Sequence, residues 1–201
     1  MSLLVESIKI YNGRIYNIAL HEARANQARA ALWGITQKLD LRKHIIIPDT
    51  CKTGLVKCRV CYDTSIREIT YAPYSVRQIR TLKIIETEED LHYSYKWADR
   101  PQLDRLYGLR DGCDEIIIVQ HGLVTDAYYY NLVFEKDGRY FTSMKPLLAG
   151  VQRARLLKSG KITPIEISAS HIANYNRIHL INALTPMGRI VVERSDVGGM
   201  K

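Results

Sequence analysis

One uninterrupted stretch constrains the fold more than any other. Residues 113–136 read CDEIIIVQHGLVTDAYYYNLVFEK, with an apolar core at Ile116, Ile117, Ile118 and Val119. A run of β-branched residues that short is too brief for a helix of its own. It suits a strand. His121-Gly122 and Asp137-Gly138 are hairpin-type turn pairs, so the stretch predicts a β-meander through Ser143. A glycine at Gly150 then precedes VQRARLLK, which reads as a helix over 151–158.

The rest of the chain alternates strands and helices. LLVESIKIYNGRIYNI reads as two strands joined at Asn12-Gly13. ALHEARANQARAALWG is an alanine-rich helix that Gly34 stops. A short helix is expected over Thr36 to Arg42 with Thr36 as its cap. Strands follow at Val56 to Tyr62 and Ile66 to Tyr71, and a third from Val76 to Ile85 after the Pro73 break. Trp97 to Arg110 has a helical pattern. KITPIEIS is a strand, ASHIANY a short helix, and residues 177–192 two more strands. The C-terminal ERSDVGGMK is expected to fray. The acidic ETEEDLHYSY segment marks a domain boundary, giving domains of residues 1–92 and 96–201. The fold class is therefore α/β (α+β): a smaller N-terminal α/β domain and a β-rich C-terminal domain with helices, a cofactor-sized crevice being expected between them.

At 201 residues, 46% of them hydrophobic and 25% charged, the chain is ordinary in composition. No apolar run approaches the roughly 20 residues of a membrane span. Glu6 interrupts the N-terminus before a signal peptide can form, which points to the cytoplasm. The four cysteines are irregularly spaced, as expected for reduced thiols. Cys58 and Cys61 form a CxxC, but residues three apart on a strand face opposite ways and converge poorly on one metal. The net charge of +8 comes from scattered residues without a nucleic-acid motif. That distribution argues for small anionic ligands ahead of nucleic acid.

The residues able to carry chemistry are an amine, an acid and a helix start. Lys96 lies in an aromatic run with Tyr93, Tyr95 and Trp97, Asp126 follows the His121-Gly122 turn, and Gly150 opens the helix that begins at Val151. Taken singly, Lys96 is a surface lysine, Asp126 a turn residue and Arg24 a solvated helix residue. Their ordered set resembles class-IV pyridoxal phosphate aminotransferases, the fold-type-IV group, which includes branched-chain and D-amino-acid aminotransferases and aminodeoxychorismate lyases. The resemblance runs from VESIKIYNG (a Phe-Glu-Thr strand followed by Asn-Gly) through LHEAR (a His-x-x-Arg segment), the lysine, HGLVTD (Gly-x-Val-x-Glu), NLVF, LLAGVQR (Leu-x-Gly-Ile-Thr-Arg) and INAL (Asn-Ser-Leu).

The resemblance implies pyridoxal 5'-phosphate as cofactor and a homodimer. It makes Lys96 the Schiff-base lysine and proton shuttle. Arg24 is expected on the phosphate, Asp126 opposite the pyridinium nitrogen and Leu148 against the ring. The backbone N–H groups of Val151 and Gln152 complete the phosphate site with Asn182 and Ala183. Three departures stand out: Asp126 replaces the usual glutamate, Gln152 replaces threonine, and the chain starts almost at the first matched strand. Arg59, Arg77 and Arg80, all expected on strands, are candidate clamps for an anionic, amino-bearing substrate. A lyase releasing pyruvate and 4-aminobenzoate is the leading expectation. A transaminase acting on D-amino or branched-chain amino acids stands second, and a non-catalytic cofactor-binding or nucleic-acid-binding protein third.

Overall fold

The computed structural model describes residues 3–198. Contacts divide the chain into one unit of residues 1–76 and 95–99 and a second of residues 77–94 and 100–201. The division differs from the 92/96 boundary expected from sequence. The strand before the acidic segment pairs within the second unit, and the Lys96 segment pairs within the first.

The first unit holds strands β1 (Leu4–Tyr11), β2 (Arg14–Ile15), β3 (Leu55–Tyr62) and β4 (Ile66–Pro73), with helices α1 (Ile18–Trp33) and α2 (Leu41–His44). The strands form an antiparallel sheet in the order β2-β1-β3-β4. Asn12 and Gly13 both adopt positive φ, the conformation that matches a two-residue hairpin to the sheet twist. Leu4, Glu6, Ile8 and Ile10 line one face of β1 and are all fully buried, so a carboxylate occupies a position whose register is otherwise apolar. Ile18, His21, Ala25 and Ala28 form the buried stripe of α1, and Gly34 in the left-handed region closes the helix. The expected cap at Thr36 is not used. Asp40 caps α2 instead, accepting from the Lys43 N–H, so the helix starts at Leu41. Cys58 and Cys61 are buried and free on β3.

Residues 95–99 pair with β1. Leu4 and Trp97 form an antiparallel bridge, the Val5 N–H donates to the Lys96 carbonyl (2.9 Å), and the Ala98 N–H donates to Leu3 (2.8 Å). That pairing keeps the expected Trp97–Arg110 helix from starting early. Helix α3 spans Pro101–Gly108, with proline at the first turn where a missing N–H costs nothing.

The second unit contains β5 (Leu82–Thr87), β6 (Glu115–Gln120), β7 (Leu123–Val124), β8 (Asn131–Lys136), β9 (Arg139–Ser143), helix α4 (Val151–Lys158), β10 (Thr163–Ile165), β11 (Arg177–Ile181), β12 (Val191–Glu193) and β13 (Val197–Gly198). One sheet runs β13-β5-β6-β7 and the other β10-β9-β8-β11-β12. The expected meander is thus split, with β6–β7 in one sheet and β8–β9 in the other. β6 is parallel to β5, and its Ile116 to Val119 are fully buried, as the apolar run requires. The strand expected from Val76 is confined to Leu82–Thr87. Residues 193–198 do not fray, because Arg194–Asp196 form a 3-10 turn and β13 pairs in parallel with β5. Among the described residues no helix is long and apolar enough to cross a membrane.

Candidate functional site

In the first unit, Tyr95 and Trp97 pack edge-to-face at 6.2 Å against the cluster of Leu4, Ala25, Ala28 and Tyr62. Alternation along this short extended segment turns the half-buried Lys96 side chain away from that cluster. Its aromatic neighbours therefore anchor the backbone on either side of the amine.

Glu6 organises the same unit. Its carboxylate accepts Arg24 Nε on Oε1 (2.8 Å) and Arg24 Nη2 on Oε2 (2.6 Å), with His21 Nδ1 2.5 Å from Oε2. His21 and Arg24 lie one turn apart on α1 and so share a face. Burial pushes the Glu6 carboxyl up, but the Arg24 guanidinium and the His21 contact outweigh it and bring the pKa down to about 2. The adjacent Tyr62 phenol is pushed up by burial and by the Glu6 charge.

The second unit gathers Asp126, Leu148, Val151 and Gln152. Asp126 is buried, and the Leu148 N–H donates to its Oδ2 at 2.9 Å. Asn131 Nδ2 donates both to Asp126 Oδ1 (2.6 Å) and to the Leu148 carbonyl (2.9 Å), clamping the acid to the loop before α4. Gly150 makes that clamp possible, since a Cβ there would lie 1.9 Å from Asn131 Oδ1. Burial raises the Asp126 pKa to about 6, against the stabilising hydrogen bonds and the Arg153 charge. This is a desolvated acid that a cationic N–H partner would stabilise.

The first turn of α4 has the opposite requirement. Gly150 supplies no side-chain cap. Gln152 Nε2 and Arg153 Nε are buried without hydrogen-bond partners, although Arg153 Nη2 donates to the Ser143 carbonyl at 2.7 Å. A helix N-terminus with buried donors beside it suits an anion. Asn182 and Ala183 open a tight turn in which Asn182 Oδ1 accepts the N–H groups of Leu184 and Thr185, both at 2.9 Å. Asn182 Nδ2 donates to the Tyr129 carbonyl (3.3 Å), and Thr185 Oγ1 is buried without a partner.

The three candidate clamp arginines fall in both units. Arg59, on β3 in the first unit, faces Cys61 and lies 3.8 Å from Glu68. Arg77 and Arg80 belong to the second unit and precede β5, so they are not strand residues. Arg77 donates to Tyr107 Oη (3.0 Å) and the Asp114 carbonyl (3.1 Å) and lies 3.7 Å from Glu115. Burial raises the Glu115 pKa to about 7. Arg80 is exposed, and its guanidinium donates to Gln78 (3.3 Å). Arg100, missed in the sequence, stacks over Tyr128 and Tyr129 at 4.3 and 4.7 Å.

Glu6, Asn131 and Arg153 lie inside the motifs that carry the resemblance, but the sequence assigned them no role of their own. The signals were a carboxylate in the apolar register of β1, and an asparagine and an arginine at buried positions. Among the described residues no cluster of three or more histidine, cysteine or acidic side chains is arranged to hold a metal.

No family profile matches the chain. An uncharacterised protein of Haemophilus influenzae is 34% identical over 183 residues, 90% of this chain and 97% of its own. The structure of a proposed 4-amino-4-deoxychorismate lyase from Haemophilus somnus is 34% identical with a TM-score of 0.87, covering 93% of this chain and 98% of that one. More distant likeness shows the fold alone. A hypothetical aminotransferase from Mycobacterium tuberculosis in its PLP-bound form is 14% identical (TM-score 0.78, 99% and 82% covered). The Escherichia coli branched-chain amino acid aminotransferase is also 14% identical (TM-score 0.76, 100% and 78% covered).

Proposed function

Because the chain belongs to the class-IV, fold-type-IV family of pyridoxal phosphate-dependent enzymes, we propose that it is a 4-amino-4-deoxychorismate lyase, releasing pyruvate and leaving 4-aminobenzoate for folate synthesis. The observation that carries the substrate assignment is the 34% identity across 98% of the Haemophilus somnus chain. The cofactor assignment rests on complementary demands in the second unit. The buried acid there keeps a raised pKa despite its hydrogen bonds and the Arg153 charge, so a further cationic N–H would stabilise it, and a helix start with buried, unpartnered donors suits an anion. Pyridoxal phosphate carries both, in its ring N–H and its phosphate.

In this reading Lys96 holds the cofactor aldehyde covalently. Its amine would also serve as the base for the proton on the amine-bearing carbon of the substrate. When bound, the cofactor supplies a protonated pyridine ring that takes up the electrons left behind. Asp126 keeps that ring nitrogen protonated, held in place by Asn131 and the Leu148 N–H. The N–H groups of Val151 and Gln152, the Asn182–Ala183 turn and Arg24 bind the phosphate, and Leu148 packs on the ring. The enzyme works as a homodimer in the cytoplasm on a small anionic amine.

Two measurements test the reading. The purified protein is expected to show a visible band that borohydride abolishes and that Lys96→Ala lacks. A protein that cannot be loaded with pyridoxal phosphate refutes the cofactor assignment. Incubation with 4-amino-4-deoxychorismate is expected to yield pyruvate and 4-aminobenzoate. Amine exchange dependent on a keto acid, with neither product, makes it a transaminase instead.

A further inference from the structure

The first unit contains a device that none of the assigned roles explains. Glu6 lies between Leu4 and Ile8 on the inward face of β1, fully buried, where an apolar side chain would satisfy the core. Two side chains of α1 converge on it. Arg24 bonds both carboxylate oxygens through its Nε and Nη2, and His21 Nδ1 takes a second position on Oε2. His21 is itself buried, and its Nε2 has no hydrogen-bond partner. A buried Glu–Arg ion pair with a histidine on it is seldom more stable than an apolar replacement, and an orphaned imidazole nitrogen adds a further cost.

We propose that Glu6 is a positioning residue that sets the plane of the Arg24 guanidinium and thereby gives the site its preference for a phosphorylated over an unphosphorylated ligand. This rests on the cofactor reading above. A fork bonded at two points cannot turn about its Cδ–Nε bond. The Nε–Nη2 edge is committed to Glu6, so the Nη1 side points away from the carboxylate. His21, bonded to Oε2, keeps the carboxylate from rotating and loosening the fork. Because the Glu6 carboxyl is held at about pKa 2, the fork persists at any working pH.

Charge and geometry make opposite predictions here, which makes the idea sharp. Glu6 is an anion beside a cation meant for a dianionic phosphate. As a charge alone it weakens phosphate binding, so neutralising it should strengthen binding. As a positioner it aligns Arg24, so neutralising it should weaken binding.

The experiment measures dissociation constants for pyridoxal phosphate and for pyridoxal by absorbance titration of the intact protein, with circular dichroism as a check on folding. Wild type is expected to favour the phosphorylated ligand. Glu6→Gln is expected to lose roughly 10- to 100-fold in affinity for pyridoxal phosphate, the range typical of residues that orient a ligand-holding group. Its affinity for pyridoxal should stay unchanged, so that the ratio collapses. Tighter binding of pyridoxal phosphate, or equal losses for both ligands, overturns the proposal. If Glu6→Gln does not fold, Glu6→Asp serves, since it keeps the charge but is too short to reach both Arg24 nitrogens. An intermediate ratio supports positioning, and an unchanged one refutes it. A wild type that binds neither ligand instead removes the cofactor reading itself, a result distinct from a ratio that Glu6 leaves untouched.

Discussion

Substituting Gly150 by alanine probes the scaffold under Asp126 directly. The backbone φ of −70° at this position is ordinary for any residue, so the methyl group meets no torsional penalty. What it meets is Asn131 Oδ1 at 1.9 Å, far inside the 3.0 Å that Cβ atoms essentially never cross. Either the loop before α4 lifts or the Asn131 amide swings away. Swinging away breaks the bond to Asp126, about 1.5–3 kcal/mol for a charged acceptor, and the bond to the Leu148 carbonyl, about 1 kcal/mol. Lifting the loop costs a comparable ~1–3 kcal/mol in overpacking. The cheaper route sets the cost, so the expected destabilisation is about 1–3 kcal/mol, read by urea unfolding of the cofactor-free protein. A double-mutant cycle isolates the cause. In an Asn131→Ala background the clash partner is gone, so Gly150→Ala should cost under about 1 kcal/mol. An equal cost in both backgrounds, or a negligible cost in the wild type, refutes the clash as the reason for glycine.

Other expectations follow from the same geometry. The Asp126 pKa is raised from 3.8 to about 6, so the folded state binds the proton more tightly than the unfolded chain. Stability contributed here is present below about pH 4, is lost as pH rises through about 6, and amounts to ~3 kcal/mol. Asp126→Asn should accordingly gain about that much relative to wild type between pH 4 and pH 7 in cofactor-free unfolding experiments. A pH-independent difference would contradict the desolvated acid. Both side chains are exposed, but Arg77→Ala loses bonds to Tyr107 and Asp114 and should cost about 1 kcal/mol in thermal melts, whereas Arg80→Ala loses a contact to Gln78 and should stay within about 0.5 kcal/mol. Equal effects would undo the distinction drawn between them. Asp40→Ala removes the α2 cap and should cost about 1 kcal/mol, and an unchanged melting temperature would show that the cap is idle.

Local chemistry made several elements legible in the sequence. Asn12-Gly13, His121-Gly122 and Asp137-Gly138 announce turns because few other pairs accept two positive φ values. The Ile116–Val119 run announces a strand. The ordered lysine, acid and glycine announce the family. Partners distant in sequence were not legible. Residues 95–98 pair with β1 instead of extending α3, and β7 and β8 fall in different sheets. Asp40 displaces Thr36 as a cap because its own side chain reaches Lys43. Within the site, the types and order of Lys96, Asp126 and Arg24 were determined by sequence alone. Only the tertiary structure decided that Glu6 holds Arg24 and that Asn131 and Gly150 hold Asp126. Those contacts join residues 5 to 19 positions apart by burial and hydrogen bonding. Burial leaves a periodic trace along the chain, but which buried polar side chains pair with one another does not.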